Sequence, residues 1–198
     1  VLRSRRWDLF ELLLDWGGDI RSVDVYTVLE TYNADLYERF RAYGYELTEG
    51  YAMASILGHS TSNRPLLGFV KRHRTEDPRI QWEPNIALGD HAREGNERGV
   101  GLCLRAGADP HASAFSLDLG VAEDADPEDD KEPFRGWSAI EEAARDGHLG
   151  ILKRLGPDPA RDDFDELYNH ARYESIVAFL LTMQLPRDLT RILLWHFR

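Results

Sequence analysis

Apolar residues in this chain recur every three or four positions, the period of a helix. Val25, Val28 and Leu29 share one face, and Leu36, Tyr37 and Phe40 share the next, which closes at Gly44. The same rhythm returns in Val100, Cys103 and Leu104, in Ile140, Ala143 and Ala144, and in Leu167, Ala171, Ile176, Val177, Leu180 and Leu181. Residues Trp7 to Ile20 set Phe10, Leu13 and Leu14 ahead of Gly17-Gly18-Asp19, and Tyr51–Leu57 and Leu66–Val70 form a helix pair around the turn residues Ser60 to Pro65. Gly95, Gly107 and Gly147 punctuate the pattern where helices must end, because a residue without Cβ enters the left-handed region at little cost. Ser138, with Glu141 three residues on, reads as a capping box. Only Phe115-Ser116-Leu117-Asp118-Leu119 alternates, as a short strand or extended arm. Nothing pairs β-rich runs with helices or places a Gly-rich phosphate loop after a strand, which argues against a parallel-sheet enzyme, and an all-α fold is expected.

Two segments repeat one plan of helix, turn, helix, turn. The first is Asn85 to His111, ending Arg105-Ala106-Gly107-Ala108-Asp109-Pro110-His111; the second starts at Gly136-Trp137-Ser138 and passes through Ala143-Ala144-Arg145-Asp146-Gly147-His148. These residues resemble ankyrin repeats, whose unit of about 33 residues carries Thr-Pro-Leu-His, paired alanines before a Gly, and Gly-Ala-Asp. Ala92, Ala143 and Ala144 are small where neighbouring helices must approach closely. Ser138-Ala139-Ile140-Glu141 departs from the family in lacking its Pro and His, and the helix after Gly147 is cut short at Leu155-Gly156-Pro157. The resemblance implies an ankyrin-like solenoid of stacked antiparallel helix pairs, one domain over residues 1–198. Its approximate repeats are 1–20 (partial), 21–47, 48–80, 81–111, 134–160 and 161–184, with an insertion at 112–133 and a capping helix at 185–198. The partial first unit and the absence of an initiating Met at Val1 lead us to expect a segment of a longer protein.

Charge sharpens this picture. The chain of 198 residues carries 24 Lys+Arg against 35 Asp+Glu, a formal net charge of −11, which argues against nucleic acid as partner. The 112–133 insertion alone holds eight acidic residues and one Lys. It reads either as a finger that meets a basic partner or as a solvated loop, and Asp124-Ala125-Asp126-Pro127-Glu128 lacks the spacing of an EF-hand. No apolar run approaches the roughly 20 residues of a membrane span. The single Cys103 excludes an internal disulfide and fits a reducing, cytoplasmic setting.

Catalytic constellations are sparse. His59, His73, His91, His111, His148, His170 and His196 are scattered, without the His pair and Glu of a helical zinc site. We expect no metal and no cofactor, with His91, His148 and His170 structural and Cys103 a small core residue. Ser60-Thr61-Ser62 lacks an adjacent base. The expected function is therefore non-enzymatic binding of another protein by a monomer. The resemblance implies a concave face of turn fingers and first helices, represented by Trp82, Asp90, Arg93 and Glu94, by Trp137, Glu142, Arg145 and Asp146, and by Asn169, Arg172 and Tyr173, with Phe115 on the insertion. These are polar or aromatic residues at positions where burial is not required. The alternative is an adaptor or regulatory arm of a larger protein. Leu185-Pro186-Arg187-Asp188-Leu189 is similar to the opening of F-box segments and the Leu-Pro of SOCS boxes, which would recruit a ubiquitin ligase.

Overall fold

The computed structural model describes residues 6–59, 63–113 and 136–184. They form α1 (Trp7–Asp15), α2 (Val25–Leu29), α3 (Ala34–Ala42), α4 (Ala52–His59), α5 (Arg64–His73), α6 (Pro78–Arg93), α7 (Glu97–Ala106), α8 (Ala139–Arg145), α9 (Leu149–Leu155), α10 (Phe164–His170) and α11 (Glu174–Gln184), with short 3-10 turns at Ile20–Ser22 and Glu49–Tyr51. The fold is all-α. Among the described residues there is no strand, only an isolated antiparallel bridge between Ser113 and Ser138, and no helix long and apolar enough to cross a membrane. The chain divides into two compact units: one runs to Ala87 and includes Gly101–Ala108, the other holds Leu88–Val100 and continues from Asp109.

In the first unit, side chains start the helices that the apolar pattern calls for. Asp24 accepts from Thr27 N at 2.8 Å to cap α2, Asn33 accepts from Asp35 N and Leu36 N to cap α3, and Asn63 accepts from Leu66 N at 3.1 Å to cap α5. α2 packs on α3 and α4, α3 on α5, and α4 on α5. First helix thus meets first helix and second meets second. The seam is filled by Val28, Leu29, Leu36, Tyr37, Phe40, Met53, Leu57, Leu66 and Phe69, all buried. Each such side chain is worth roughly 1.5–3 kcal/mol of transfer free energy. Tyr37 donates its hydroxyl to the Leu29 carbonyl at 2.6 Å, and burial pushes its pKa up to about 12, which keeps it a donor. Phe10 of α1 stacks on Phe40 with ring centroids 5.3 Å apart, while Leu9, Leu12, Leu13 and Trp16 stay exposed.

In the second unit α8 packs on α9 and α10, and α10 on α11. The expected capping box is present: Glu141 N donates to Ser138 Oγ at 3.2 Å and Ser138 N to Glu141 Oε2 at 2.5 Å. Gly95 and Gly147 end their helices at φ +74° and +81°, as expected. Each glycine also seats a residue of the following pair. A Cβ at Gly95 would lie 2.6 Å from the His148 ring, and one at Gly147 2.6 Å from the Tyr173 ring. Loop residues also pair, with His111 Nδ1 2.9 Å from the Asp162 carboxylate and Arg161 donating to Asp109 at 2.8 Å.

Two boundaries differ from expectation. α6 begins at Pro78, well before Asn85, because the Asp77 carboxylate and carbonyl accept from Arg79 N and Ile80 N at 3.0 Å and start the helix upstream. Pro84 is then carried inside it. Pro65 belongs to the first turn of α5, where its missing N–H goes unneeded. Most of the 112–133 insertion and the expected capping helix at 185–198 lie outside the described residues.

Candidate functional site

Six of the expected interface residues come together in the second unit. The capping box fixes where α8 begins, and one turn later Glu142, Arg145 and Asp146 emerge from its end. The Arg145 guanidinium sits 4.1 Å from the centre of the Trp137 ring. Its Nη2 lies 2.7 Å from Glu142 and 3.1 Å from Asp146, a planar cation held between an aromatic face and two carboxylates. Trp137 also meets the His170 ring, with centroids 5.2 Å apart. α6 offers the same arrangement at equivalent positions counted back from Gly95 and Gly147, with Arg93 paired to Asp90 at 3.2 Å.

Electrostatics tie these residues into one cluster. Burial pushes the Glu142 carboxyl up to about 7; Arg145 and Arg93 oppose that rise, whereas Asp146 and Asp90 add to it. Glu142 Oε2 is buried without a well-aligned hydrogen bond despite the short approach of Arg145. Here the expectation needs correcting. Asp90 and Glu142 are buried, 8% and 5% exposed, so they are not free surface groups. Each lies one turn before an arginine that folds back over it, and for Glu142 the two nearby arginines offset only part of the cost of taking the carboxylate out of water. Each is ion-paired with its arginine, Asp90 with Arg93 at 3.2 Å and Glu142 with Arg145 at 2.7 Å.

The remaining residues scatter more widely. Glu94, Asn169, Arg172 and Tyr173 are exposed, with Tyr173 anchored against Gly147. Trp82 belongs to the first unit, half-buried at the start of α6. Phe115 lies outside the described residues. Of the histidines, His148 Nε2 is 2.9 Å from the Arg93 carbonyl and His91 is buried with Asn96 Nδ2 3.2 Å from its Nδ1, both structural as expected. His170 packs on Trp137 with a buried Nδ1 that lacks a hydrogen-bond partner. Cys103 is in the core. Among the described residues no three His, Cys, Asp or Glu side chains are placed to hold a metal ion.

The pattern reading missed Glu83, in the first unit. It is 2% exposed, it accepts from Ala54 N at 2.7 Å near the start of α4, and burial pushes its pKa up to about 7. Once α6 is known to begin at Pro78, Ile80, Glu83 and Ala87 fall on one buried stripe, and a carboxylate there is the signal. A second polar network, also unforeseen, joins His73 to Glu38 at 2.8 Å and to Glu76 at 3.0 Å, flanked by Arg72 and Arg41. No protein-family model, curated protein or solved structure matches the chain.

Proposed function

We propose that the chain is a non-enzymatic interaction module of ankyrin-like build that binds another protein, and that the cluster around Arg145 and Trp137 is its principal contact. The observation that carries this reading is the Arg145–Trp137 stack at 4.1 Å, braced by Glu142 and Asp146. Arginine and tryptophan are the side chains that most often dominate binding energy, and their value rises when they are held in place before the partner arrives. The repeated seating of one helix pair on the glycine of the preceding pair supports the solenoid reading, because repeat proteins are built from such nearest-neighbour contacts. The net charge of −11 favours a partner with a basic surface, and the acidic 112–133 insertion would speed their encounter.

The test uses the purified chain and its Trp137→Ala and Arg145→Ala variants as capture surfaces. A protein retained by the wild type, purified and re-bound, should lose at least about tenfold in affinity to either variant while far-UV circular dichroism stays unchanged. Equal affinity for all three surfaces removes this cluster from the binding face.

A further inference from the structure

Within the first unit, the 3-10 turn Glu49–Tyr51 and the start of α6 enclose a groove of about 560 Å³, whose walls include Glu46, Glu49, Tyr51, Arg79, Trp82 and Glu83. Two aromatic side chains thus stand beside three carboxylates and one guanidinium. That guanidinium is already engaged, since Arg79 is ion-paired with both Glu46 and Asp77. Glu49 is exposed at the rim, whereas Glu83 is buried and held by the Ala54 N–H at 2.7 Å.

Such a lining suits the two halves of a long cationic side chain. The methylene stem lies on aromatic faces, and the charged head is drawn both by the rings and by the carboxylates. An anion would meet three carboxylates against one guanidinium that is already paired, and a purely apolar group would gain nothing from the exposed Glu49 at the rim. We infer that this groove receives a single basic side chain, arginine or lysine, presented by a protein partner. The inference rests on the protein-binding reading only for the source of that side chain.

Burial and the Ala54 N–H from α4 act on Glu83, and Glu46, Glu49, Tyr51 and Arg79 are the other titratable groups lining the groove. With its pKa at about 7, Glu83 passes from mostly neutral to mostly ionised between about pH 6 and pH 8. Attraction for a cation therefore grows across that interval.

The experiment titrates the whole chain with acetyl-Gly-Arg-Gly-amide at low salt, following the Trp82 indole N–H by ¹H–¹⁵N NMR. The citrulline peptide, nearly the same shape without charge, is the control. A saturable shift at Trp82 is expected, with affinity about fivefold weaker for citrulline and for Glu49→Gln, and weaker at pH 6 than at pH 8. Glu49 is exposed, so its replacement leaves the fold intact. Equal responses to arginine and citrulline, unchanged affinity in Glu49→Gln, or no shift at Trp82 up to about 10 mM peptide overturns the inference. Because the peptide reads the Trp82 groove directly, this result is independent of the Trp137 and Arg145 variants.

Discussion

Replacing Glu83 by Gln should make the protein more stable at pH 8 and leave it nearly unchanged at pH 4.5. Burial raises the folded-state pKa of Glu83 from 4.5 to about 7, against the opposing hydrogen bond from Ala54 N. At about 1.4 kcal/mol per tenfold change in proton affinity, the ionised form costs up to roughly 3 kcal/mol. Between those two values the folded chain holds a proton that the unfolded chain has already released. Stability therefore falls as pH rises from about 4.5 to 7 and loses nothing more to this group above that range. Gln keeps an acceptor for Ala54 N–H and has no charge to bury, but its own amide hydrogens need partners. The net gain at pH 8 should be about 1–2 kcal/mol. Urea denaturation at several pH values measures it, and the difference between wild type and Glu83→Gln isolates this residue from Glu142, whose pKa is raised in the same direction in the second unit. If Glu83→Gln is no more stable than wild type at pH 8, or if both show the same slope between pH 5 and pH 7, the assignment of a buried, penalised carboxylate is wrong.

Two further substitutions address the second unit. Ser138→Ala removes the acceptor of the Glu141 N–H and should cost about 1 kcal/mol, seen as a fall of roughly 2–4 °C in thermal midpoint, whereas Ser138→Gly should cost a few tenths of a kcal/mol. Gly147→Ala must hold φ at +81° and push the Tyr173 ring away from 2.6 Å, so about 2–3 kcal/mol should be lost. In a Tyr173→Ala background the steric part vanishes and the cost should drop by about 1 kcal/mol; strictly additive effects in that double-mutant cycle would show that the seat does not matter.

Where local chemistry decides an element, the amino-acid sequence is easy to read. Val25, Val28 and Leu29 against Leu36, Tyr37 and Phe40 specify a helix pair because burial of a single stripe is the only way to satisfy both. Ser138 and Glu141 specify a helix start because their side chains reach only the backbone groups three residues away. Residue type is a poor guide where burial or a cap overrides its preference. Asp90 and Glu142 look like surface residues, yet both are buried, each beside an arginine one turn on, and for Glu142 burial outweighs that pairing. Glu83 was hidden behind Pro84, which resembles a helix breaker. Proline removes one donor and crowds the carbonyl four residues back, at Ile80, but the cap at Asp77 had already started the helix.

The glycine seats show why the second unit keeps its order while its side chains vary. His148 on Gly95 and Tyr173 on Gly147 occupy one geometric slot with different chemistry, and His148 adds a hydrogen bond to the Arg93 carbonyl that Tyr173, half exposed, is not required to reproduce. What the slot demands is the missing Cβ beneath the ring and the positive φ that turns the chain there. The constraint falls on the glycine, and the residue above it is free to answer to something else. On the binding reading proposed above, Tyr173 would be a contact residue: a large aromatic ring, seated on Gly147 and half exposed, offers contact area at little entropic cost.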